Sequence, residues 1–150
     1  MQVRKIILAG AFGGFILLVV TMVSGAVAGA ILPYNIFDIP GMRSMTDPVA
    51  ALFFSYPFVL TVAAAILYDI IDPVLPGKTV RKGIMYGLLL VLIITIPNQF
   101  VIWSSMYYPA GFYLSNIFSG LVGFPLFGIL CARIWGQGGL QGLKREAAGI

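Results

Sequence analysis

Long uncharged apolar stretches alternate with short polar stretches along this chain. The uncharged runs cover residues 6–32, 49–68, 83–108 and 112–132. Each is long enough to cross a bilayer, which takes about 20 mainly apolar residues in a helix. The runs lack the alternating segments of about 10 residues that characterise membrane barrels, and backbone in lipid must be paired within a helix or a closed barrel. The pattern therefore predicts an all-α integral membrane protein with four transmembrane helices.

The polar stretches between the runs set the expected helix boundaries. They are rich in proline, glycine and charged residues, which are typical of connections and helix ends. We predict a single transmembrane domain whose helices pack as up-down hairpin pairs. The expected helices cover residues of about 5–32, 48–71, 80–108 and 111–135, followed by a short cytoplasmic tail over 136–150.

Three prolines lie within the predicted spans rather than at their ends. Pro57, Pro97 and Pro125 fall in the second, third and fourth spans, respectively. Each removes one backbone hydrogen bond and crowds the preceding turn of the helix. The sequence therefore predicts proline kinks in helices 2, 3 and 4.

The composition excludes a soluble domain and most kinds of catalytic site. Apolar residues make up 60% of the 150 residues and charged residues 9%, whereas soluble domains have about 25% charged residues. The chain has no histidine and a single cysteine, Cys131. Imidazole acid–base chemistry, haem ligation by histidine and a redox pair of cysteines are therefore excluded. We expect a protein that is not an enzyme and that binds no cofactor or metal.

The basic residues predict how the chain is threaded through the membrane. If the N-terminus is cytoplasmic, eight of the nine cations fall on that side and only Arg43 lies outside. The positive-inside rule then predicts a multi-pass protein of the cell membrane with both termini in the cytoplasm. The net charge of +4 is explained by basic residues that set the topology and contact anionic lipid headgroups. Nucleic-acid binding is therefore not expected. The cytoplasmic cations would be Arg4, Lys5, Lys78, Arg81, Lys82, Arg133, Lys144 and Arg145.

Groups near the predicted cytoplasmic ends have simple expected roles. Tyr68, Tyr86 and Trp135 are placed to anchor this side at the lipid interface, as aromatic residues commonly do. Asp69 is the carboxylate nearest to the membrane interior. We expect it to join an ion-pair network in the inner loop; the alternative is a site for a coupling ion.

Small residues recur at four-residue spacing on three of the predicted helices. Such ridges allow close approach of helices in lipid, where packing and hydrogen bonds drive association. The sequence does not decide whether a ridge faces the same chain or another subunit, and we expect at least one contact between subunits. The predicted packing residues are Gly10, Gly14, Gly25, Gly29, Gly83, Gly87 and Gly123, with Ser119 paired to Gly123.

Polar side chains also converge in the outer half of the predicted bundle. Asn98 and Gln99 follow Pro97, and folding the turn at 109–111 brings them near Asn116 and Ser119. Tyr56 reaches a similar depth from the second span. One interpretation is an interhelical hydrogen-bond clamp that pairs these groups and the carbonyls freed by proline. The other is a ligand-binding pocket for a small neutral or weakly polar molecule.

These observations favour two functions without catalysis. The first is an accessory or assembling subunit that packs through its glycine ridges, as a homo-oligomer or within a larger membrane complex. The alternative is an oligomeric channel or facilitator for a small neutral or weakly polar solute, whose path includes Asn98, Gln99 and Asn116. An enzyme is least favoured, because no nucleophile is paired with any of the five carboxylates.

Overall fold

A computed structural model describes residues 2–35, 42–44 and 46–147, with side chains as far as Gly136. The described residues are helical with no strand, and four helices are long and apolar enough to cross a membrane. The predicted all-helical, four-span class is confirmed. The spans are Val3–Ile31, Pro48–Val74, Thr79–Ser105 and Ala110–Gly136.

The first and fourth spans are single continuous helices. Helix α1 covers Val3–Ile31 and helix α5 covers Ala110–Ala147, with Pro125 inside it. The fourth span is therefore the first part of a longer helix, which continues into the predicted tail. Residues 148–150 and the side chains beyond Gly136 lie outside the described residues.

The second span changes helix type along its length. It begins as a 3-10 helix over Pro48–Ser55, continues as helix α2 over Tyr56–Ile71 and ends in a 3-10 turn over Asp72–Val74. The Asp47 side chain caps the start by accepting a hydrogen bond from the backbone N–H of Val49 (2.9 Å). Pro57 lies in the first turn of α2, where the missing N–H of a proline costs least.

The third span contains a widened turn before its proline. Helix α3 covers Thr79–Leu90, a π-helical segment follows over Val91–Thr95, and helix α4 covers Ile96–Ser105. Pro97 is in the first turn of α4. π-helical turns within longer helices are frequent at functional sites, and this segment supplies part of the pocket described below.

Glycines bring the third span against the fourth. A Cβ built on Gly83 would lie 2.5 Å from the Ile129 backbone, and one on Gly87 would lie 2.6 Å from the Phe124 carbonyl carbon. The two helices therefore meet backbone to backbone. Only glycine allows this approach, which in lipid maximises van der Waals contact.

Helix α1 packs on α2 and α5 through a second glycine ridge. A side chain at Gly10 would overlap Val62, and one at Gly14 would overlap Phe58. The Thr61 hydroxyl, fully buried, lies 2.8 Å from the Gly10 carbonyl across this contact and 2.8 Å from the Pro57 carbonyl of its own helix, either of which can accept its proton. On the fourth span, Gly123 receives the side chain of Leu17 from α1.

The remaining glycine pair, Gly25 and Gly29, is not closely packed by the described residues. A Cβ on Gly25 would meet only the Ser115 hydroxyl, at 3.7 Å, and one on Gly29 would meet no described atom within 4 Å. The Gly25–Gly29 ridge thus differs from the ridges that pack within the chain.

The prediction that Tyr68, Tyr86 and Trp135 anchor the lipid interface is wrong. Tyr68 and Tyr86 are fully buried and Trp135 is 6% exposed. Tyr68 packs edge-to-face on the other two rings, with centroid distances of 4.9 Å and 5.2 Å. The three rings fill the core because small residues elsewhere let the helices close around them.

Polar contacts tie together the bundle end that carries Gln2. Asp69 accepts hydrogen bonds from the Trp135 indole (2.8 Å) and the Gln2 backbone N–H (3.2 Å). Lys82 pairs with Asp72 at 2.8 Å. The start of the first and third spans and the end of the second and fourth therefore lie together, and we call this the terminal end.

Candidate functional site

A polar pocket lies between the four spans, in the half of the bundle away from the terminal end. Its volume is about 140 Å³, and each span contributes four lining residues. The lining residues are Leu17, Leu18, Thr21, Met22, Phe53, Tyr56, Pro57, Leu60, Ile94, Thr95, Asn98, Gln99, Asn116, Ser119, Gly120 and Phe124.

The pocket brings together all five residues that the sequence nominates for ligand binding. Asn98, Gln99, Asn116, Ser119 and Tyr56 each line it. Gln99, Asn116 and Ser119 are half-buried, whereas Asn98 and Tyr56 are exposed. One side of the pocket is therefore open and the other is enclosed by helices.

The third span contributes through its widened turn and the start of α4. Ile94 and Thr95 come from the π-helical segment, and Asn98 and Gln99 lie one turn further along. Residues three and four apart share a helix face, so these residues line a common surface. Thr95 packs against Gly120 of α5, where any larger side chain would overlap its hydroxyl.

Two of the polar residues are already paired within the protein. The Ser119 hydroxyl bonds the Thr21 hydroxyl of α1 (2.8 Å), which joins the first and fourth spans at the pocket. The Asn116 amide nitrogen donates to the Phe112 carbonyl, one turn earlier in α5 (2.9 Å). The first contact joins two helices, as the hydrogen-bond clamp interpretation requires, whereas the second lies within one helix.

The side chain of Gln99 does not fit the hydrogen-bond clamp interpretation. Its side-chain oxygen, Oε1, is buried and accepts no hydrogen bond from any described residue. An acceptor removed from water without a partner costs about 1–3 kcal/mol. Gln99, a lining residue of the pocket, therefore carries one buried acceptor that no described residue satisfies.

Sequence reasoning missed two polar residues of the pocket, Thr21 and Thr95. Each lies in a long apolar run that also contains other polar residues, and each also fits a threonine bonded to its own helix. Thr21 is about as far from the end of α1 as Ser119 is from the start of α5. This equal depth on two spans is the signal that could have identified the pairing of Thr21 with Ser119.

The chemistry of the lining is neutral. None of the sixteen lining residues is charged, and the polar groups are amides and hydroxyls. Towards the terminal end the pocket meets apolar side chains, including Leu17 and Phe124, which are both 5% exposed. The arrangement can hold a small uncharged molecule by hydrogen bonds but offers it neither an acid nor a base.

An ion pair lies in the connection before the second span. Arg43 bonds Asp47 at 2.6 Å, and its guanidinium, followed by the Val49 backbone N–H, holds the pKa of Asp47 below its ordinary value. Both charges are satisfied locally, outside the pocket lining. In the part of the chain that the structure describes, no three His, Cys, Asp or Glu side chains form a metal-binding group.

Comparisons with known proteins give no relative from which a role could be transferred. No protein family matches the chain, and neither a curated protein nor a solved structure matches it.

Proposed function

We propose that this protein is a multi-pass protein of the cell membrane that holds a small neutral or weakly polar solute in the polar pocket. It acts without catalysis, as the binding element of an oligomeric channel or facilitator. The observation that carries the proposal is the buried, unpartnered Gln99 oxygen in a pocket lined by amides and hydroxyls. No described residue donates to this oxygen, and a buried acceptor without a partner costs about 1–3 kcal/mol.

The proposed threading puts both termini in the cytoplasm and the spans in up-down order. The charge distribution supports it, since eight of nine cations then face the cytoplasm. Contacts at the terminal end support it as well, because they join Gln2 and Asp69 and also Asp72 and Lys82. The pocket is then in the outer half of the membrane.

Proline kinks in helices 2, 3 and 4 are part of the proposal. Pro57 follows a 3-10 helix and Pro97 follows a π-helical segment, and both prolines are next to pocket residues. Changes of helix type at these prolines support local bending. Bending there would widen the space between the second and third spans, where the pocket lies.

The packed core argues for a facilitator that exposes its site alternately, rather than for an open pore. Tyr86, Phe127 and Leu90 are essentially fully buried in the half of the bundle near the terminal end. The Tyr86 hydroxyl also donates to the Ala64 carbonyl, which joins the third span to the second. A solute in the pocket would cross only if these contacts opened, as in carriers with a central site.

Solute flux in proteoliposomes tests the proposal. The wild-type chain is expected to accelerate entry of a small neutral solute, and Asn98→Leu is expected to abolish the acceleration by replacing an exposed pocket amide. Phe100→Leu is the matched control, since Phe100 is 65% exposed and outside the lining. Equal flux in the Asn98→Leu and Phe100→Leu variants would contradict the assignment of the pocket.

The second candidate function is an accessory or assembling subunit. The observation in its favour is the Gly25–Gly29 ridge, which no helix of this chain covers closely. The Gly10–Gly14 and Gly83–Gly87 ridges do not serve this role, because side chains or backbone of the same chain occupy them. Assembly would therefore use the half of α1 that ends at Ile31, and its partner would be a second copy or another membrane subunit.

Oligomer yield in mild detergent tests this second function. Gly29→Leu is expected to reduce the oligomeric fraction without lowering the thermal stability of the monomer, since the site has open space. Gly14→Leu would instead overlap Phe58 and destabilise the chain itself. An unchanged oligomeric fraction in Gly29→Leu would exclude the ridge as an interface.

A further inference from the structure

The lining of the polar pocket restricts the charge of its ligand. An ion transferred into such a site would leave water without an opposite charge to compensate it, at a large cost in free energy. Two described ion pairs are Arg43–Asp47 and Asp72–Lys82. In each pair the two charges compensate each other, and all four residues lie outside the lining. The absence of an opposite charge in the lining therefore favours a ligand that is uncharged at neutral pH.

The volume restricts the size of the ligand. A cavity of about 140 Å³ is close to the engineered cavity of about 150 Å³ that accepts benzene. The pocket therefore admits a molecule of about six non-hydrogen atoms. A sugar or a nucleobase with its ribose would extend out of the open side.

The hydrogen-bonding groups restrict the ligand further. The Thr21 and Ser119 hydroxyls are paired with each other, and the Asn116 amide nitrogen is bonded within α5. The buried Gln99 Oε1 lacks a partner among the described residues. Because a carbonyl oxygen only accepts, its partner must donate an N–H or an O–H.

We propose that the solute is a compact, uncharged hydrogen-bond donor, such as a small primary amide, a urea or a short polyol, whose N–H or O–H is accepted by Gln99 Oε1. The inference rests on the proposed function of the pocket and adds the chemistry by which Gln99 recognises the solute. Exposed Asn98, at the open side, offers both a donor and an acceptor to the rest of the molecule. A molecule of the same size without a donor would leave Gln99 unsatisfied.

Two constitutional isomers provide the test. Propionamide carries an N–H₂ group, whereas N,N-dimethylformamide contains the same atoms and no donor. Binding of each to the full chain in phosphatidylcholine nanodiscs is measured by saturation-transfer NMR at millimolar concentrations, the range expected for so few atoms. We expect propionamide to bind about tenfold more tightly, the preference that one hydrogen bond to a buried acceptor gives.

Variants assign the preference to Gln99. Gln99→Met keeps an unbranched side chain without the amide and is expected to remove the preference, whereas Phe100→Leu is expected to retain it. Glycerol against 1,2-dimethoxyethane, matched in non-hydrogen atoms, repeats the comparison for O–H donors and separates polyols from amides. If Gln99→Met does not fold, the comparison of the two isomers on the wild-type chain still tests whether the pocket prefers a hydrogen-bond donor.

Each outcome bears on a different part of the account. Equal binding of the two isomers, or tighter binding of propionate, would overturn the inference while leaving a solute-binding pocket in place. A preference that persists in Gln99→Met would overturn the role of Gln99. If neither the isomers nor the polyol pair bind the wild-type chain, the proposed function of the pocket fails together with the inference.

Discussion

The same substitution at two glycines should have opposite effects on stability. Gly87 lies against the backbone of α5, and a Cβ there would be 2.6 Å from the carbonyl carbon of Phe124. Carbon atoms in favourable contact are about 3.5–4.0 Å apart. The third and fourth spans would therefore have to separate by about 1 Å in Gly87→Ala. Gly29 has no described atom within 4 Å of the same position.

The expected magnitudes follow from these contacts. Overpacking costs about 1–3 kcal/mol, and the upper end applies at Gly87 because backbone cannot rotate away. Alanine regains about 1 kcal/mol of helix propensity at either site. Gly87→Ala should therefore lose about 2 kcal/mol, or about 4–8 °C in Tm, and Gly29→Ala should gain about 2–4 °C.

Cys131 provides the assay. It is the only cysteine and is fully buried, so a fluorogenic maleimide reacts with it as the protein unfolds on heating. The two variants are compared with the wild-type chain in the same detergent. Gly87→Ala with a Tm equal to that of Gly29→Ala would refute the close contact between α3 and α5.

Three further predictions concern individual contacts. Thr61→Val should lower stability by about 1 kcal/mol in the same thermal assay, since it removes a buried hydroxyl that donates to the Gly10 carbonyl of α1 or to the Pro57 carbonyl of α2. Trp135→Phe should cost about 1.5 kcal/mol, because it removes the indole donor to Asp69; an unchanged Tm would show that this bond adds nothing. Arg43→Gln should raise the pKa of Asp47 towards its ordinary value in a carboxyl NMR titration. Because the folded-state pKa is lowered, this ion pair contributes above the ordinary pKa of aspartate and is lost as pH falls through the lowered value.

Hydropathy predicted the spans because the bilayer imposes one length and one backbone solution on every crossing. The changes of helix type within the spans could not be predicted in the same way. The π-helical segment over Val91–Thr95 lies in the apolar stretch 88–96, which has no glycine, so only the proline that follows marks the position. Hydrophobicity on all faces also removes the periodicity that would identify the buried side.

The residues that line the pocket could be predicted from their depth along the spans, whereas the hydrogen-bond partners of these residues could not. Asn98, Gln99, Asn116 and Ser119 line one pocket because the turn between α4 and α5 sets their relative depth. The pairing of Ser119 with Thr21 depends on which face of α1 meets α5, and Leu17 inserting at Gly123 fixes that face. Tyr68 and Trp135 were misplaced for the same reason, since an aromatic ring near a span end fits an interface or a core equally well.

Thiol accessibility in intact cells tests most directly the claim that the polar pocket is a solute site in the outer half of the membrane. In a Cys131→Ala background, Asn98→Cys places one thiol at the open side of the pocket, and Phe100→Cys places one on an exposed apolar face. A membrane-impermeant thiol reagent added outside is predicted to modify Asn98→Cys but not Phe100→Cys, and propionamide is predicted to slow the reaction. Modification of Asn98→Cys only from the cytoplasmic side, or a rate that propionamide leaves unchanged, would contradict the account.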